Sequence, residues 1–375
     1  MLEQVLADLV AIDSINPDLV PGAAGEGEIA RFIAGWLGAA GLEVHLEEVL
    51  PGRPNVIGIA RGTGGGRSLL LNGHIDVVGV AGMDAPFAPR VADGRLYGRG
   101  AYDMKGGLAA CMVAAAEANK HNLRGDVIVT AVMDEEYAGL GTQAIAARYH
   151  ADAAIVAEST ELELVVAHKG FMWLEVETHG VAAHGSRPHL GVDAIAKMGS
   201  VLLELDRLGQ DLSRRPAHPL LGHASVHASL INGGQELSSY PEQCVLAIER
   251  RTLPGETAEM VAAEWQAILQ RLHENDPTFR AELRLGLFRS SLETPADAAI
   301  VAAVSEAREK IRGHAPDLVG LSFWTDAATL HAAGIPTVLF GPSGEGAHAA
   351  VECVDLDSVR ACAEVYLATA MTFCQ

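Results

Sequence analysis

Short apolar runs alternate with helical stretches along the first 160 residues, and this alternation constrains the fold more than any other feature. Four runs rich in Val, Ile and Leu occupy residues 55–60, 68–71, 127–132 and 153–156. Runs of this length without polar alternation are typical of strands buried on both faces. An Ala-rich helical stretch at 106–121 separates the second run from the third. The pattern therefore predicts an α/β fold.

The pattern changes at residue 171 and changes back near residue 288. Between them we predict a strand at 171–177, a helix at 193–208, strands at 223–231 and 244–251, a helix at 256–272 and a strand at 279–287. This β-α-β-β-α-β order is the split βαβ, ferredoxin-like arrangement. Afterwards we predict helices at 296–311 and 356–373 and a strand at 337–340. We therefore predict one domain formed by residues 1–170 and 288–375, and a second domain inserted at 171–287.

Four glycines cluster at residues 62–66, between the first two predicted strands. They do not complete the G-x-G-x-x-G pattern of a nucleotide-binding loop. We therefore predict that this segment is a hairpin turn.

The formal net charge of -21 is spread along the chain without a long acidic run. Such a charge disfavours nucleic acid and anionic membranes, so we expect small-molecule partners. The N-terminal segment lacks a basic region, and no uninterrupted apolar stretch reaches the roughly 18 residues of a membrane span. The five cysteines are scattered and contain no C-x-x-C pair, unlike a disulfide scaffold or a structural zinc site. We expect a cytoplasmic protein.

Residues that can bind metal ions follow four of the predicted strands. In chain order they are His74, Asp134, Glu135, Glu136, Glu158 and, in the loop after the strand at 337–340, His348. Ligands of an open α/β sheet bind beyond the carboxyl ends of its strands, so we expect these residues to lie close together. Asp103 adds another carboxylate from the glycine-rich loop at 98–107, where glycines permit tight backbone geometry.

Carboxylates crowded in this way repel one another unless cations neutralise them, and two divalent metal ions would do so. The predicted ligands are imidazoles and carboxylates without a thiolate, so zinc is the leading candidate, with cobalt and manganese as alternatives. Taken singly, each residue has an ordinary explanation, such as a surface pair, a solvated turn or an acid at a helix N-terminus. Their shared placement at strand ends favours a metal site.

Two short spacings suggest how the site is organised. In His74-x-Asp76 the carboxylate can accept the second ring N–H of the histidine and fix its tautomer. The adjacent Glu135 and Glu136 point in different directions from an extended chain, so one can bind metal while the other faces a water molecule and acts as a base.

These motifs resemble those of the M20 metallopeptidases and deacylases, a family that includes acetylornithine deacetylase, succinyl-diaminopimelate desuccinylase, aminoacylase-1 and the glutamate carboxypeptidases. The resemblance covers essentially the whole chain, with motifs at residues 70–78, 98–107, 133–136, 157–159 and 341–352. It implies a mixed-sheet metallohydrolase catalytic domain with an inserted ferredoxin-like α+β lid, which also forms a homodimer.

The resemblance also implies a role for each site residue. His74 and Glu158 would bind one metal ion, Glu136 and His348 the other, and Asp103 would bridge both. Asp76 would then orient His74, and Glu135 would be the general acid/base.

In the lid, segment 180–188 resembles the family segment whose histidine, here His184, reaches the partner subunit's active site and polarises the scissile carbonyl. Arg251 matches an arginine that holds a substrate carboxylate, a task suited to a guanidinium. The chain departs from the family at Ser238, where many relatives have a substrate-contacting asparagine. Asn232 is a candidate replacement, and Trp324 is a candidate for shaping the pocket.

The expected activity is hydrolysis of an N-acyl amino acid, for example acetylornithine. A di- or carboxypeptidase activity is the alternative, and Arg251 favours a substrate with a free carboxylate in either case. A non-catalytic binding module would normally have lost a ligand or the base, and none is lost here. A serine hydrolase is disfavoured because Ser343 lies in a segment that lacks the final glycine of G-x-S-x-G.

Overall fold

A computed structural model describes all 375 residues, and the chain divides into two compact units. Unit 1 comprises Met1–Val166, Thr294–Gly320 and Thr325–Gln375, and unit 2 comprises Ala167–Glu293 and Leu321–Trp324. Most of unit 2 is therefore one continuous insertion into the sequence of unit 1.

The helices are α1 (Leu2–Ala11), α2 (Gly27–Ala39), α3 (Gly106–Ala118), α4 (Leu140–Ala146), α5 (Ala194–Leu212), α6 (Ala258–Asn275), α7 (Ala299–Arg312), α8 (Ala327–Ala332) and α9 (Leu356–Phe373). The strands are β1 (Glu43–Leu50), β2 (Arg53–Ala60), β3 (Leu69–His74), β4 (Arg90–Ala92), β5 (Arg95–Tyr97), β6 (Val127–Val132), β7 (Ala153–Val156), β8 (Leu164–His168), β9 (Gly170–His179), β10 (Ser225–Gly233), β11 (Gln243–Thr252), β12 (Arg280–Arg289), β13 (Leu292–Glu293), β14 (Leu318–Leu321), β15 (Thr337–Leu339), β16 (Gly344–Glu345) and β17 (Cys353–Asp355).

The large sheet is mixed, in the strand order β1-β2-β6-β3-β7-β15-β8-β13, with β14 beside β8. Its central strands β6, β3, β7 and β15 are mutually parallel, whereas β1 and β2 run antiparallel to their neighbours. Every residue of β2, β3, β6 and β7 is buried, which explains why these strands appear in the sequence as unbroken apolar runs. The predicted α/β fold with a mixed sheet is confirmed.

The predicted hairpin at residues 62–66 is wrong. Strands β2 and β3 are not neighbours, because β6 lies between them. The glycine-rich segment instead packs against the chain that enters β6: Gly62 N–H donates to the Asp126 carboxylate (2.8 Å) and Thr63 N–H to the Leu123 carbonyl (2.8 Å). Glycines permit a tight chain path, but they do not determine which strand becomes the partner.

Helix α3 is almost completely buried, and small side chains let it lie close to the sheet. At Gly107 a Cβ atom would lie 1.9 Å from the Ala157 carbonyl oxygen, and at Gly341 one would lie 2.0 Å from that of Glu158. Only glycine fits at either position. The two glycines therefore fix the backbone at the end of β7, where Glu158 leaves the sheet.

Unit 2 is a four-stranded antiparallel sheet in the order β10-β11-β9-β12, with helices α5 and α6. Both helices begin at a capping side chain: Asp193 accepts from Ala196 N–H and Thr257 from Met260 N–H. Alternate residues of β9, including Leu174 and Val176, are buried in the core of the unit. This is the ferredoxin-like arrangement predicted from the order of the elements.

No helix of the structure combines the length and the apolar composition needed to cross a membrane. All five cysteines are unpaired and buried.

Candidate metal centre

The candidate ligands lie at the carboxyl ends of adjacent parallel strands. His74 is the last residue of β3, while Glu135 and Glu136 follow β6 and Glu158 follows β7. His348 lies farther along the chain, in the loop between β16 and β17. Because β6, β3, β7 and β15 are neighbours and run in one direction, these ends share one edge of the sheet.

Asp103 lies between the two histidines. Its Oδ1 is 3.1 Å from His74 Nε2, and its Oδ2 is 3.2 Å from His348 Nε2. On the outer side of each histidine lies a glutamate: His348 Nε2 is 3.1 Å from Glu136 Oε2, and His74 Nε2 is 3.7 Å from Glu158 Oε1. The five side chains thus form two groups that share the carboxylate of Asp103.

Glu135 lies beside the same cluster. One ligand atom each of His74, Glu135 and Glu158 lies within 4.8 Å of the others, and the same holds for His74, Asp103 and Glu136. The structure therefore brings together all five predicted ligands and the predicted base.

The loop carrying Asp103 is held by a buried carboxylate that the sequence reasoning did not single out. Glu352 accepts the main-chain N–H groups of Gly100 (3.0 Å), Tyr102 (3.0 Å) and Asp103 (3.1 Å). It also pairs with Arg99 (2.6 Å), whose guanidinium donates to the Ala349 carbonyl beside His348 (3.0 Å). Glu352 and Arg99 therefore link the Asp103 loop to the His348 loop.

The orientation of His74 differs in one detail from the sequence prediction. His74 Nδ1 lies 2.9 Å from the main-chain carbonyl of Asp76, whereas the Asp76 carboxylate is 3.6 Å away. That carboxylate instead accepts the N–H groups of Glu135 (3.1 Å) and Glu136 (3.2 Å). The carbonyl fixes the tautomer in which Nε2 faces Asp103, and the carboxylate holds the turn that carries both glutamates.

A buried polar network supports this turn from behind. Asn16 donates to Asp76 (2.8 Å) and to Asp134 (3.1 Å), and Arg53 bridges Asp134 (3.1 Å) and Glu26 (2.6 Å). Asp134 adopts a left-handed conformation (φ 69°), which an Asp tolerates better than most residues. The network comes from four separate parts of the chain, and no local pattern in the sequence signals it.

The site carries an excess of negative charge. Burial raises the pKa values of Glu135 and Glu136 above their ordinary range, and it raises the pKa of Glu158 to about 8. Burial opposes ionisation of Asp103 as well, but hydrogen bonds from His348 and His74 hold its pKa below the ordinary range. The groups that neutralise these carboxylates in the structure are imidazoles.

Both imidazoles are biased toward the charged form. Hydrogen bonds to Asp103 and Glu136 raise the pKa of His348 to about 10. Burial favours neutral His74, but Asp103 and the nearby carboxylates outweigh it and raise its pKa. Four carboxylates that compete for two imidazoles, with no thiolate among them, form a donor set that suits divalent cations such as zinc.

The other predicted site residues belong to unit 2. His184 is exposed, and its Nδ1 accepts from Ser186 N–H (3.2 Å), an arrangement that places the ring proton on Nε2. Arg251 is paired with Glu249 and lies over the Phe171 ring (5.4 Å to its centroid). Asn232 is exposed on β10.

The sheet register does not bring Asn232 and Arg251 together. Arg251 pairs with Ser225, and Asn232 pairs with Val245, six residues away from Arg251 on the same strand. At about 3.3 Å per residue, the two positions are roughly 20 Å apart.

Asp326 is a further residue at the centre, and the sequence analysis did not name it. It is buried, it accepts from the Thr142 hydroxyl (2.7 Å), and its charge helps to raise the pKa values of Glu135 and Glu158. It follows β14 before α8, which is the kind of position where the other site residues were found.

Comparison with known proteins shows to which protein family the chain belongs. Residues 70–372 match the model of peptidase family M20/M25/M40. An acetylornithine deacetylase of Myxococcus xanthus is 32% identical over 100% of this chain and 97% of its own length. The N-formyl-4-amino-5-aminomethyl-2-methylpyrimidine deformylase of Bacillus subtilis is 30% identical over 92% of this chain and 89% of its own length.

Among solved structures, the YXEP protein of Bacillus subtilis, described as a dinuclear metal binding peptidase from the M20 family, superimposes with a TM-score of 0.77. It is 18% identical, and the match covers 100% of this chain and 98% of that one, which establishes a common fold. With the family model covering most of the sequence, the chain belongs to peptidase family M20/M25/M40 and is a hydrolase of amide bonds.

Proposed function

We propose that this chain is a two-metal amide hydrolase that removes the acyl group from an N-acyl amino acid. The observation that carries the proposal is the convergence of two imidazoles and three further carboxylates around Asp103. The names of the two relatives, a deacetylase and a deformylase, support removal of a small acyl group from nitrogen.

In this proposal His74 and Glu158 would hold one cation and Glu136 and His348 the other, with Asp103 as a ligand that both would share. Zinc suits this donor set best, and cobalt or manganese are alternatives. When bound, the cations supply Lewis acidity that polarises the scissile carbonyl and lowers the pKa of water.

Glu135 is the proposed general acid/base. Its main-chain N–H is held by Asp76, while its carboxylate lies beside His74 and Glu158 without being needed as one of the five ligands. The carboxylate would accept a proton from the attacking water and return it to the leaving nitrogen. The assignment rests on this position and on the matching motif.

Two residues of unit 2 are proposed to act on the substrate. His184, with its proton on Nε2, would donate to the carbonyl oxygen as negative charge develops there. Arg251 would bind the substrate carboxylate. We retain Asn232 as a separate polar contact, because about 20 Å of strand lies between it and Arg251.

We further propose that unit 2 acts as the lid and forms a homodimer, in which each copy supplies its His184 to the other. Strand β10 is an edge strand, and its Leu230 and Ile231 side chains are 74% and 55% exposed. Leu203 on helix α5 is 63% exposed. Apolar residues on an unpaired edge favour association, and light scattering of the purified protein measures the oligomeric state.

The decisive test is Glu135→Gln, with Glu309→Gln on the exposed face of α7 as the matched control. Protein stripped of metal and reloaded with zinc, cobalt or manganese is assayed on N-acetyl amino acids and dipeptides. We expect Glu135→Gln to keep its metal content and to lose at least about 1,000-fold in kcat, because a base is removed while the ligands stay. The control should keep full activity.

The same panel separates the alternatives. Faster cleavage of dipeptides than of N-acyl amino acids would replace the deacylase proposal with a dipeptidase. No cleavage of any substrate by the fully loaded protein would point to a non-catalytic binding module. Near-full activity of Glu135→Gln would remove Glu135 from the mechanism.

A further inference from the structure

Unit 2 contains a group of aromatic and cationic side chains that the proposed chemistry does not use in full. We call it the aromatic cluster; it consists of Phe171, Trp173, Arg251, Arg289 and Trp324. Phe171 lies at its centre, with ring centroids 5.3 Å from Trp173 and 6.1 Å from Trp324, the latter edge-on at 87°. All five residues belong to unit 2.

The sheet register builds the cluster. Phe171 on β9 pairs with Arg251 on β11 and with Arg289 on β12, so one aromatic residue has an arginine beside it on each neighbouring strand. The neighbouring Met172 and Leu174 point into the core, which places Phe171 and Trp173 on the opposite face of the sheet. Trp173 is 46% exposed there, so this face is open to a ligand.

Each of two rings already lies close to a cation. The Arg251 guanidinium lies 5.4 Å from the Phe171 centroid, and that of Arg289 lies 5.7 Å from the Trp324 centroid. Both distances are within the range of a cation–π interaction. A ligand ammonium would therefore meet rings that guanidinium groups occupy, and it would be repelled by them.

The surroundings favour an anionic ligand. Lys169, two residues before Phe171, directs its ammonium to the His223 main-chain carbonyl (2.6 Å) and not to a carboxylate. Burial lowers the pKa of Lys169, and the guanidinium groups of Arg251 and Arg250 lower it further. Arg251 is paired with Glu249 and Arg250 with Glu256, so the ammonium of Lys169 supplies the positive charge that attracts a carboxylate.

Trp324 offers an unused hydrogen-bond donor. Its indole Nε1 is buried and has no acceptor in the protein. A buried donor without a partner is costly, which favours a ligand that brings an acceptor.

We propose that the aromatic cluster is the specificity site of this enzyme and that it selects N-acyl amino acids with an aromatic, uncharged side chain over the cationic ornithine derivative. The inference rests on the proposed deacylase function. Arg251 holds the carboxylate, and the substrate ring packs against Phe171 and Trp324 in the tilted or edge-on geometry that aromatic pairs prefer.

The test compares the kcat/KM values of the purified, zinc-loaded protein for N-acetyl-L-phenylalanine, N-acetyl-L-alanine and N-acetyl-L-ornithine. We expect kcat/KM for the phenylalanine derivative to exceed that for the ornithine derivative by at least about tenfold. Trp324→Leu should lower kcat/KM for N-acetylphenylalanine by about tenfold, mainly through KM, and change that for N-acetylalanine less than about twofold. Trp324→Phe should keep most of the preference.

The control is Trp36→Leu, the same substitution at a partly buried tryptophan of α2 in unit 1, which should leave the preference unchanged. Equal losses of kcat/KM on all three substrates in Trp324→Leu would mean that Trp324 has only a structural role, which contradicts the inference. A preference of the unmodified protein for the ornithine derivative would overturn the inference while leaving the deacylase proposal intact. Failure to cleave any of the three substrates would contradict the deacylase proposal. In that case the cluster is tested separately, by measuring the binding of N-acetylphenylalanine to the metal-free protein through the change in tryptophan fluorescence. Absence of that binding would overturn the inference too.

Discussion

The candidate metal centre has two halves, the buried half with His74 and Glu158 and the exposed half with His348 and Glu136. The protein holds the two halves with different firmness. His74 ends a central strand, is 1% exposed, and has its second ring nitrogen fixed by the Asp76 carbonyl. The His348 side chain is 55% exposed and comes from a loop residue in the left-handed region (φ 60°). The sheet itself positions the first half, whereas the second depends on contacts between loops.

The difference has an energetic consequence. A histidine buried among carboxylates stabilises them even without metal, whereas the solvent partly screens an exposed one. We therefore expect the His74 half to bind its cation more tightly and to matter more for the stability of the metal-free protein.

The strongest test of this ranking of the two halves is to replace each histidine in turn. His74→Ala leaves Asp103 and Glu158 without their nearest cation in a buried position, and we expect it to destabilise the metal-free protein by about 3 kcal/mol. His348→Ala should cost clearly less. Chemical unfolding of the metal-free proteins measures the difference in the free energy of unfolding between the two variants. Elemental analysis after dialysis should show about one cation per chain in His348→Ala and less than one in His74→Ala. Equal losses of stability and metal in the two variants would contradict the ranking.

The sequence indicated the ligands at strand ends for a physical reason. Parallel strands place their carboxyl ends at one edge, so His74, Glu136 and Glu158, which come from both halves of the centre, could be grouped from the positions of the strands alone. The fold class and the ferredoxin-like insertion followed in the same way, from the order and spacing of apolar runs.

The supporting residues could not be found by such reasoning. Glu352 acts on main-chain groups some 250 positions earlier in the chain, and Asn16 meets Asp134 across 118 positions. No local periodicity encodes contacts of this length. A spacing of two residues also could not decide whether His74 would meet the carboxylate or the carbonyl of Asp76.

The second prediction tests whether the exposed half depends on its loops. Glu352→Gln keeps the size of the side chain but removes the charge that pairs with Arg99 and that accepts from Asp103 N–H. We expect the affinity for one of the two cations to fall by about 10- to 100-fold, the range found when groups that orient metal ligands are changed. Titration of the metal-free protein with zinc measures both affinities.

The matched control is Glu345→Gln in the neighbouring strand β16, where the side chain is 66% exposed and pairs with Arg95. It should leave both affinities unchanged. If Glu352→Gln binds two cations as tightly as the unmodified protein, Glu352 does not hold the exposed half.

The smallest expected effect is a dependence of stability on pH in metal-free protein, to which Glu158 of the buried half and His348 of the exposed half contribute in different pH ranges. The pKa of Glu158 is raised by burial from 4.5 to about 8, so the folded state binds its proton more tightly than the unfolded state does. The stability from this group is complete below pH 4.5 and is lost as the pH rises toward 8. The pKa of His348 is raised from 6.5 to about 10, so its contribution is complete below pH 6.5 and is lost toward pH 10.

Both groups act in the same direction, so metal-free protein should lose a few degrees in Tm between pH 5.5 and 9.5. Asp103 has the opposite shift, so its stabilisation is fully present above its ordinary pKa of 3.8 and is lost only as the pH falls below that value, outside this window. Glu158→Gln should flatten the lower part of the curve and His348→Ala the upper part, because the Glu158 carboxylate and the His348 imidazole titrate in different ranges. Zinc-loaded protein should show a weaker slope, since bound cations replace the protons as the positive charge of the site. A Tm that rises with pH in the metal-free protein would reverse the sign and show that other groups dominate.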